Sequence, residues 1–308
     1  MKHKQKPATR LGQLRTEQRN GASINLDQES TLDLVRIINR EDAKVAAAVR
    51  AALPQVAKAI DVIAGGLRRG GRLIYVGAGT SGRIAALDAA ECPPTFGTNP
   101  LQVQFVIAGG PKALAAAVES NEDSRDYGQR DIAQRKPGKN DTVVGIAASG
   151  RTPYTIAAVE YARKRGAATV AVTCNAGSPL EKAARIAIVT PVGPEVVSGS
   201  SRMKAGTAQK MVLNMLTTGA MTRLGYVYGN LMVHVHPSNI KLADRAARIV
   251  QEITGTDAAT ALGALQSAGT SVPVAVVMLK SGLSAAQARR CLKAHDGNLR
   301  QALAAVGS

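Results

Sequence analysis

Three polar loops and a few carboxylates carry the side chains of this sequence that could do chemistry. The first loop opens the stretch GAGTSGRIAALDAAECPP, residues 77–94, which follows the apolar run RLIYV and holds a G-x-G-x-x-G at Gly77, Gly79 and Gly82. Glycines let a ligand approach the backbone, and Thr80 and Ser81 add hydroxyls where a helix begins, an arrangement suited to an anion. A dinucleotide site also needs an acidic residue at the end of the second strand to hold a ribose. Here that strand ends in IAGGPKA, residues 107–113, with no carboxylate. The loop therefore suits a simple phosphate better than a pyrophosphate.

The second loop is AASGRTPYT, residues 147–155, with Ser149 and Thr152 on either side of Gly150 and Pro153 in a first-turn position. Thr152 reads either as an ordinary helix cap or as a ligand hydroxyl. The third loop, VVSGSSRMKAGTAQK at residues 196–210, brings Ser198, Ser200 and Ser201 to the start of a helix. Arg202 and Lys204 fall in its first turn, where positive charge opposes the helix dipole, and a bound anion would remove the conflict.

Among the carboxylates, Glu91 stands where the helix is expected to stop, because Pro93 and Pro94 cannot continue the hydrogen-bond ladder. The negative end of a helix favours a protonated carboxyl if water is excluded, which is the state a general acid needs. The alternative is a solvated glutamate at a frayed helix end. Glu119, Glu122 and Asp123 in AVESNED follow the next predicted helix, and one of them could share a rim with Glu91 and divide acid and base roles. Otherwise they are surface charge.

His234 and His236 in HVHP alternate on an extended segment but have no third metal ligand in reach; they could instead line a pocket or a subunit contact. Met203, Met211, Met215 and Met221 read as core fillers of a long helix. No serine-hydrolase pattern is present.

The elements that must position these residues alternate. Strand-length apolar runs lie at 72–76, 102–107, 142–147, 168–173 and 185–190, each continuous, as in strands buried on both faces. Helical patterns between them cover 82–91, 111–121, 153–165, 178–184 and about 202–224. The result is an α/β fold with a five-stranded parallel sheet between helices, whose ligands bind beyond the carboxyl ends of the strands. Residues 23–65 read as N-terminal helices, 66–228 as the sheet domain, 239–308 as a small helical subdomain, and 1–22 as a mobile basic tail.

The chain has 308 residues, 45% of them hydrophobic, enough for a full core. Net charge is +17, but the basic residues are dispersed and aromatics make up only 3%, so no nucleic-acid partner is expected. No apolar run is long enough to span a bilayer and no leader is visible, which points to a cytoplasmic location without a membrane partner. Cys92, Cys174 and Cys291 are widely spaced, excluding a disulfide framework and a zinc motif.

Four motifs in order carry a resemblance: GRLIYVGAGTSGRIAALDAAECPPTFG, AVESNEDSRDYG, VVGIAASGRTPYTIAAVEYAR and VVSGSSRMKAGTAQKMVLNMLTTGAM. Together with STLDLVRIINRED they make the chain resemble, from about residue 22 onward, the N-acetylmuramic acid 6-phosphate etherases of the sugar isomerase (SIS) domain superfamily. The resemblance implies an SIS-type three-layer αβα sandwich, a small ubiquitin-associated-like C-terminal subdomain and a homodimer. It also implies a lyase that splits the D-lactyl ether at C3 of N-acetylmuramic acid 6-phosphate by elimination and hydration, with no cofactor and no metal. Glu91 and Glu122 take the catalytic positions. By the same resemblance the phosphosugar contacts fall on Ser81, Ser149, Thr152, Ser198 and Ser200, and the loop reading adds Thr80, Ser201 and Lys204 as candidate contacts.

Two departures stand out. VESNED replaces the family's V-E-G-A-E-D, keeping both glutamates, and MVHVHPSN replaces a segment that carries an aspartate. A sugar-phosphate sensor would need the hydroxyl loops but not two carboxylates, and an aldose-ketose isomerase would not need to protonate a leaving ether.

Overall fold

The computed structural model describes residues 15–116, 118, 121–235 and 239–307. Two helices, α1 (Thr31–Asp42) and α2 (Val45–Arg68), precede an alternating series. It runs β1 (Leu73–Gly77), α3 (Gly79–Phe96), β2 (Val103–Ile107), α4 (Arg125–Gln134), β3 (Thr142–Ile146), α5 (Pro153–Lys164), β4 (Ala168–Thr173), α6 (Pro179–Ala183), β5 (Ile186–Val189) and α7 (Lys204–Arg223). Five more helices follow: α8 (Ile240–Thr254), α9 (Ala258–Ser267), α10 (Val272–Ser281), α11 (Ala285–Ala294) and α12 (Leu299–Val306). Among the described residues, no single helix is long and apolar enough to cross a membrane.

The chain divides into two compact units. The first comprises residues up to Asp88 and Gln104–Leu216, and the second Ala89–Val103 and Thr217 onward. Helices α3 and α7 each begin in the first unit and end in the second, so residues 89–103 group with the C-terminal helices rather than with the sheet.

In the first unit the five-stranded parallel sheet has the order β2-β1-β3-β4-β5. Registers such as Leu73 opposite Thr142 and Thr142 opposite Ala168 align the strands so that their carboxyl ends share one edge. Side chains alternate across the sheet. Ile74, Val76 and Val143 pack with Ile132 of α4 and with Tyr154, Ala158 and Ala162 of α5. On the opposite face the Tyr75 hydroxyl donates to Asp88 Oδ2 of α3 at 2.8 Å, and Asn214 of α7 donates to Asp88 Oδ1 at 2.6 Å. Burying aliphatic side chains on both faces contributes roughly 1.5–3 kcal/mol each, which is why these strands read as unbroken apolar runs. At the amino edge Arg72 grips Asp141 with two nitrogens, Nε at 3.1 Å and Nη2 at 2.7 Å, joining β1 to β3. Burial raises the Asp141 carboxyl, but bonds from Arg72 and Gly138 outweigh it and hold it below the usual carboxylate range.

The C-terminal unit has its own apolar centre. Ala246, Ile249 and Val250 of α8 meet Ala261 and Leu265 of α9, Ala275, Val276 and Val277 of α10, Ala288 of α11 and Leu299 of α12. Side-chain caps start four of its helices, at Asn239, Asp257, Ser284 and Asn298, the third as a complete capping box with Gln287.

Three segments differ from the periodicity. Helix α3 does not stop at Glu91 but runs through Pro93 and Pro94 to Phe96. A proline removes only its own donor and restricts the residue before it. The last turn closes instead with the Gly97 N–H on Pro93 O at 2.9 Å. The helix expected at 111–121 is instead a 3-10 turn over Gly110–Leu114. Arg83 takes the carbonyls of Ala113, at 2.9 Å from Nε, and Ala116, at 2.8 Å from Nη2, which a continuing helix would have used itself. Finally, α4 was not expected from the pattern. Its only buried apolar side chain is Ile132, although Ser124 caps it from the Tyr127 N–H at 3.2 Å.

Candidate active site

A parallel sheet of this order reverses its direction of crossing between β1 and β3, and ligands settle in the crevice such a reversal leaves at the carboxyl ends. A cavity of about 240 Å³ lies there. The turn after β1 contributes Ala78, Gly79, Thr80 and Ser81. The end of β3 and the turn after it contribute Ile146, Ala147, Ala148, Ser149 and Thr152, and Glu122, Ser201, Thr16 and Glu17 complete the wall.

The glycines of the first turn serve packing. A Cβ at Gly77 would stand 2.9 Å from the Gly82 nitrogen, and one at Gly82 would stand 2.5 Å from Ile107 Cγ1. Both distances are below any tolerable contact, so the glycines let α3 start directly above β1 and lie close against β2. That start presents free backbone N–H groups and two hydroxyls toward the cavity. Thr80 is half-buried, while Ser81 is buried with its Oγ donating to Gln209 Oε1 of α7 at 3.0 Å.

In the second turn, Ser149 Oγ accepts the Arg151 N–H at 3.2 Å, bending the chain. Thr152 occupies the N-cap position of α5, yet its side chain makes no capping bond, which leaves its hydroxyl to the cavity. Gly150 has φ +65°, and a Cβ there would lie 2.3 Å from Ser178 Oγ. Glu122 is half-buried at the cavity wall, and its carbonyl accepts the Tyr154 N–H at 3.1 Å, which anchors it to the first turn of α5. The Tyr154 hydroxyl in turn donates to Asp131 Oδ2 at 2.9 Å. Burial, then the Asp131 carboxylate, pushes that phenol upward.

The third loop divides its residues. Ser201 lines the cavity; Ser198 and Ser200 do not. The Ser198 Oγ lies 3.4 Å from the carbonyls of both Glu17 and Gln18, and the Ser200 carbonyl accepts the Met203 N–H at 3.2 Å. Lys204 does not line the cavity either. Its side chain is 1% exposed and its Nζ donates to Glu41 Oε2 of α1 at 2.6 Å. The anion expected at the start of α7 is part of the protein: Glu195 accepts the N–H groups of Lys204 and Ala205, both at 2.9 Å. Burial raises the Glu195 carboxyl, and those two N–H groups, with Lys204, partly offset the rise.

Glu91 is exposed on α3 within the second unit. His234, also there, lies with its ring centroid 4.6 Å from that of Tyr226, and burial lowers its proton affinity. Glu119 and His236, and the basic stretch before Arg15, lie outside the described residues.

Two wall residues had no counterpart in the pattern of the sequence. Thr16 and Glu17 belong to a stretch read as mobile tail, but residues 15–23 form short 3-10 turns bonded to the loops beyond β4 and β5. A signal was available in the run of side-chain bond formers at Thr16, Asn20 and Ser23.

A 2-1-3-4-5 parallel sheet with a hydroxyl-lined cavity at its reversal fits an SIS domain, a strand order that other doubly wound folds share. Family models agree: the SIS domain matches residues 137–219, and the N-terminal SIS domain of glucokinase regulatory protein matches residues 55–163. Proteins of Yersinia pestis (strain Pestoides F) and Yersinia pseudotuberculosis (serotype O:1b, strain IP 31758), both named N-acetylmuramic acid 6-phosphate etherase, are 54% identical to the chain over 293 residues, covering 95% of it and 99% of each of them. The chain belongs to the N-acetylmuramic acid 6-phosphate etherase family. The fold is also that of a phosphoheptose isomerase from Francisella tularensis, at 19% identity and TM-score 0.50, over 63% of this chain and all of that one.

Proposed function

We propose that the chain cleaves the lactyl ether of N-acetylmuramic acid 6-phosphate, releasing D-lactate and N-acetylglucosamine 6-phosphate. The observation that carries this reading is the cavity at the β1/β3 reversal, where hydroxyls from three loops surround a carboxylate, Glu122. Family membership over nearly the whole chain supports it.

The roles follow from the reaction. In the open-chain aldehyde the carbonyl acidifies the C2 proton, and a carboxylate can remove it. The electron pair left at C2 forms the C2–C3 double bond as the C3–O bond breaks, and the lactyl oxygen leaves with a proton from an acid. Water then adds its oxygen to C3 and its proton to C2. Glu122, held at the cavity wall, is the base, and Glu91 is the acid. Thr80, Ser81, Ser149, Thr152 and Ser201, with the N–H groups that start α3, bind the phosphate without a cation; no lysine or arginine is among the lining residues.

We also read the chain as a cytoplasmic homodimer. Leu32 and Val35 of α1 and Leu53 of α2 are exposed apolar side chains, a surface suited to a second copy. The reaction is tested by incubating the chain with N-acetylmuramic acid 6-phosphate in heavy-oxygen water. Lactate release with label in the C3 hydroxyl of the product is expected; lactate released without that label would rule out elimination and hydration.

A further inference from the structure

Thr16 and Glu17 come from outside the sheet, yet both line the cavity. Their segment is stitched down along its length. Asn175 Nδ2 donates to Thr16 Oγ1 at 3.3 Å, and Ser198 Oγ reaches the carbonyls of Glu17 and Gln18, both at 3.4 Å. Asn20 Nδ2 donates to Pro194 O at 3.1 Å, and Ser23 Oγ donates to Val196 O at 2.7 Å. Every one of these partners follows β4 or β5, on the edge of the sheet where the cavity opens. Asn20 Nδ2 also donates to Glu41 Oε2 at 2.9 Å, so the strap is tied to the buried Lys204 pair as well.

These bonds fix the backbone of the strap and bury Thr16, which is 2% exposed. The Glu17 side chain is left uncommitted. It is exposed, and among the described residues nothing pairs with its carboxylate. Its Oε2 lies over Gly199, where an added Cβ would stand 3.5 Å away. A carboxylate repels a phosphate dianion, so Glu17 is not suited to the phosphate end of a ligand. What a carboxylate does offer is an acceptor for O–H and N–H donors.

We propose that Glu17 is a substrate-binding residue that accepts hydrogen bonds from the hydroxyl or amide N–H groups of the sugar. This rests on the phosphosugar reading of the cavity. It makes the N-terminal strap part of the site, with phosphate held at the helix starts and the sugar's donors held by Glu17.

Calorimetric titration of the unaltered chain, Glu17→Ala and Glu17→Gln with N-acetylglucosamine 6-phosphate and with inorganic phosphate tests it. Loss of one charge-assisted bond should raise the Kd of Glu17→Ala for the phosphosugar about tenfold, with a smaller rise for Glu17→Gln. Inorganic phosphate should bind both variants as well as before or better, and their thermal midpoints should match the unaltered chain. An undiminished affinity of Glu17→Ala for the phosphosugar overturns the proposal. So does an equal loss for inorganic phosphate, which would make Glu17 a support of the whole site. If the unaltered chain binds neither probe, the phosphosugar reading itself fails, before any variant is compared.

Discussion

Lys204 Nζ lies 2.6 Å from Glu41 Oε2, with the two side chains 1% and 4% exposed. The pair joins the first turn of α7 to the last turn of α1. Around it Glu41 also accepts from Lys44 and Asn20, and Glu195 holds the backbone above. Removing one partner of such a pair strands a buried charge, while removing both leaves an apolar contact. Lys204→Met and Glu41→Leu should therefore each cost about 3–5 kcal/mol, and the double variant less than their sum. Urea denaturation measures this; strictly additive losses would mean that the two charges do not support each other.

The same carboxylate sets an acid limit. Burial alone would raise Glu41, but hydrogen bonds from Lys204, Lys44 and Asn20 outweigh it and bring it to about 2 from 4.5. A carboxyl depressed in the folded state contributes stability above its unfolded value and loses it as pH falls through the folded one. Stability on the order of 3 kcal/mol should fade between about pH 4.5 and pH 2, and Glu41→Gln should flatten that part of the profile. Glu195 acts in the opposite sense: a raised carboxyl stabilises most at low pH and loses its contribution as pH rises. Thermal midpoints across pH 2 to 6 would show both slopes.

Ser81 donates to Gln209 Oε1, while Gln209 Nε2 is buried with no partner among the described residues. Turning the amide over would give Ser81 a donor and free its own hydrogen for a phosphate oxygen. Gln209→Met should then raise KM about tenfold with little change in kcat, and in a Ser81→Ala background it should change KM hardly at all. Equal losses in both backgrounds would reduce Gln209 to packing.

Glu122→Gln should abolish lactate release while leaving binding of N-acetylglucosamine 6-phosphate largely intact, because the hydroxyls of the cavity remain. Glu91→Gln should do the same through loss of the leaving-group proton. Full turnover by either variant removes that residue from the mechanism.

Much of this was legible in the linear order of residues. Five apolar runs announced five strands because burial on both faces demands continuity, and the loops after β1 and β3 carried their hydroxyls in plain view. Helix α4 was not legible, because tertiary packing rather than its weak apolar pattern stabilises it. The stop at Glu91 was misread, because two prolines disturb a helix locally without forbidding one more turn.

What the sequence by itself determined, then, is the alternating fold, its family, and the placing of hydroxyl-bearing loops beyond the strand ends, all properties of local pattern. Only the tertiary structure decided which polar residues face the cavity. Ser201 faces it, whereas Ser198 ties down the strap and Lys204 is neutralised by Glu41, 163 positions away in the chain. Thr16 and Glu17 joined the wall for the same reason. A buried charge or a free hydrogen-bonding group takes the nearest complementary partner in space, and distance along the chain does not record which one that is.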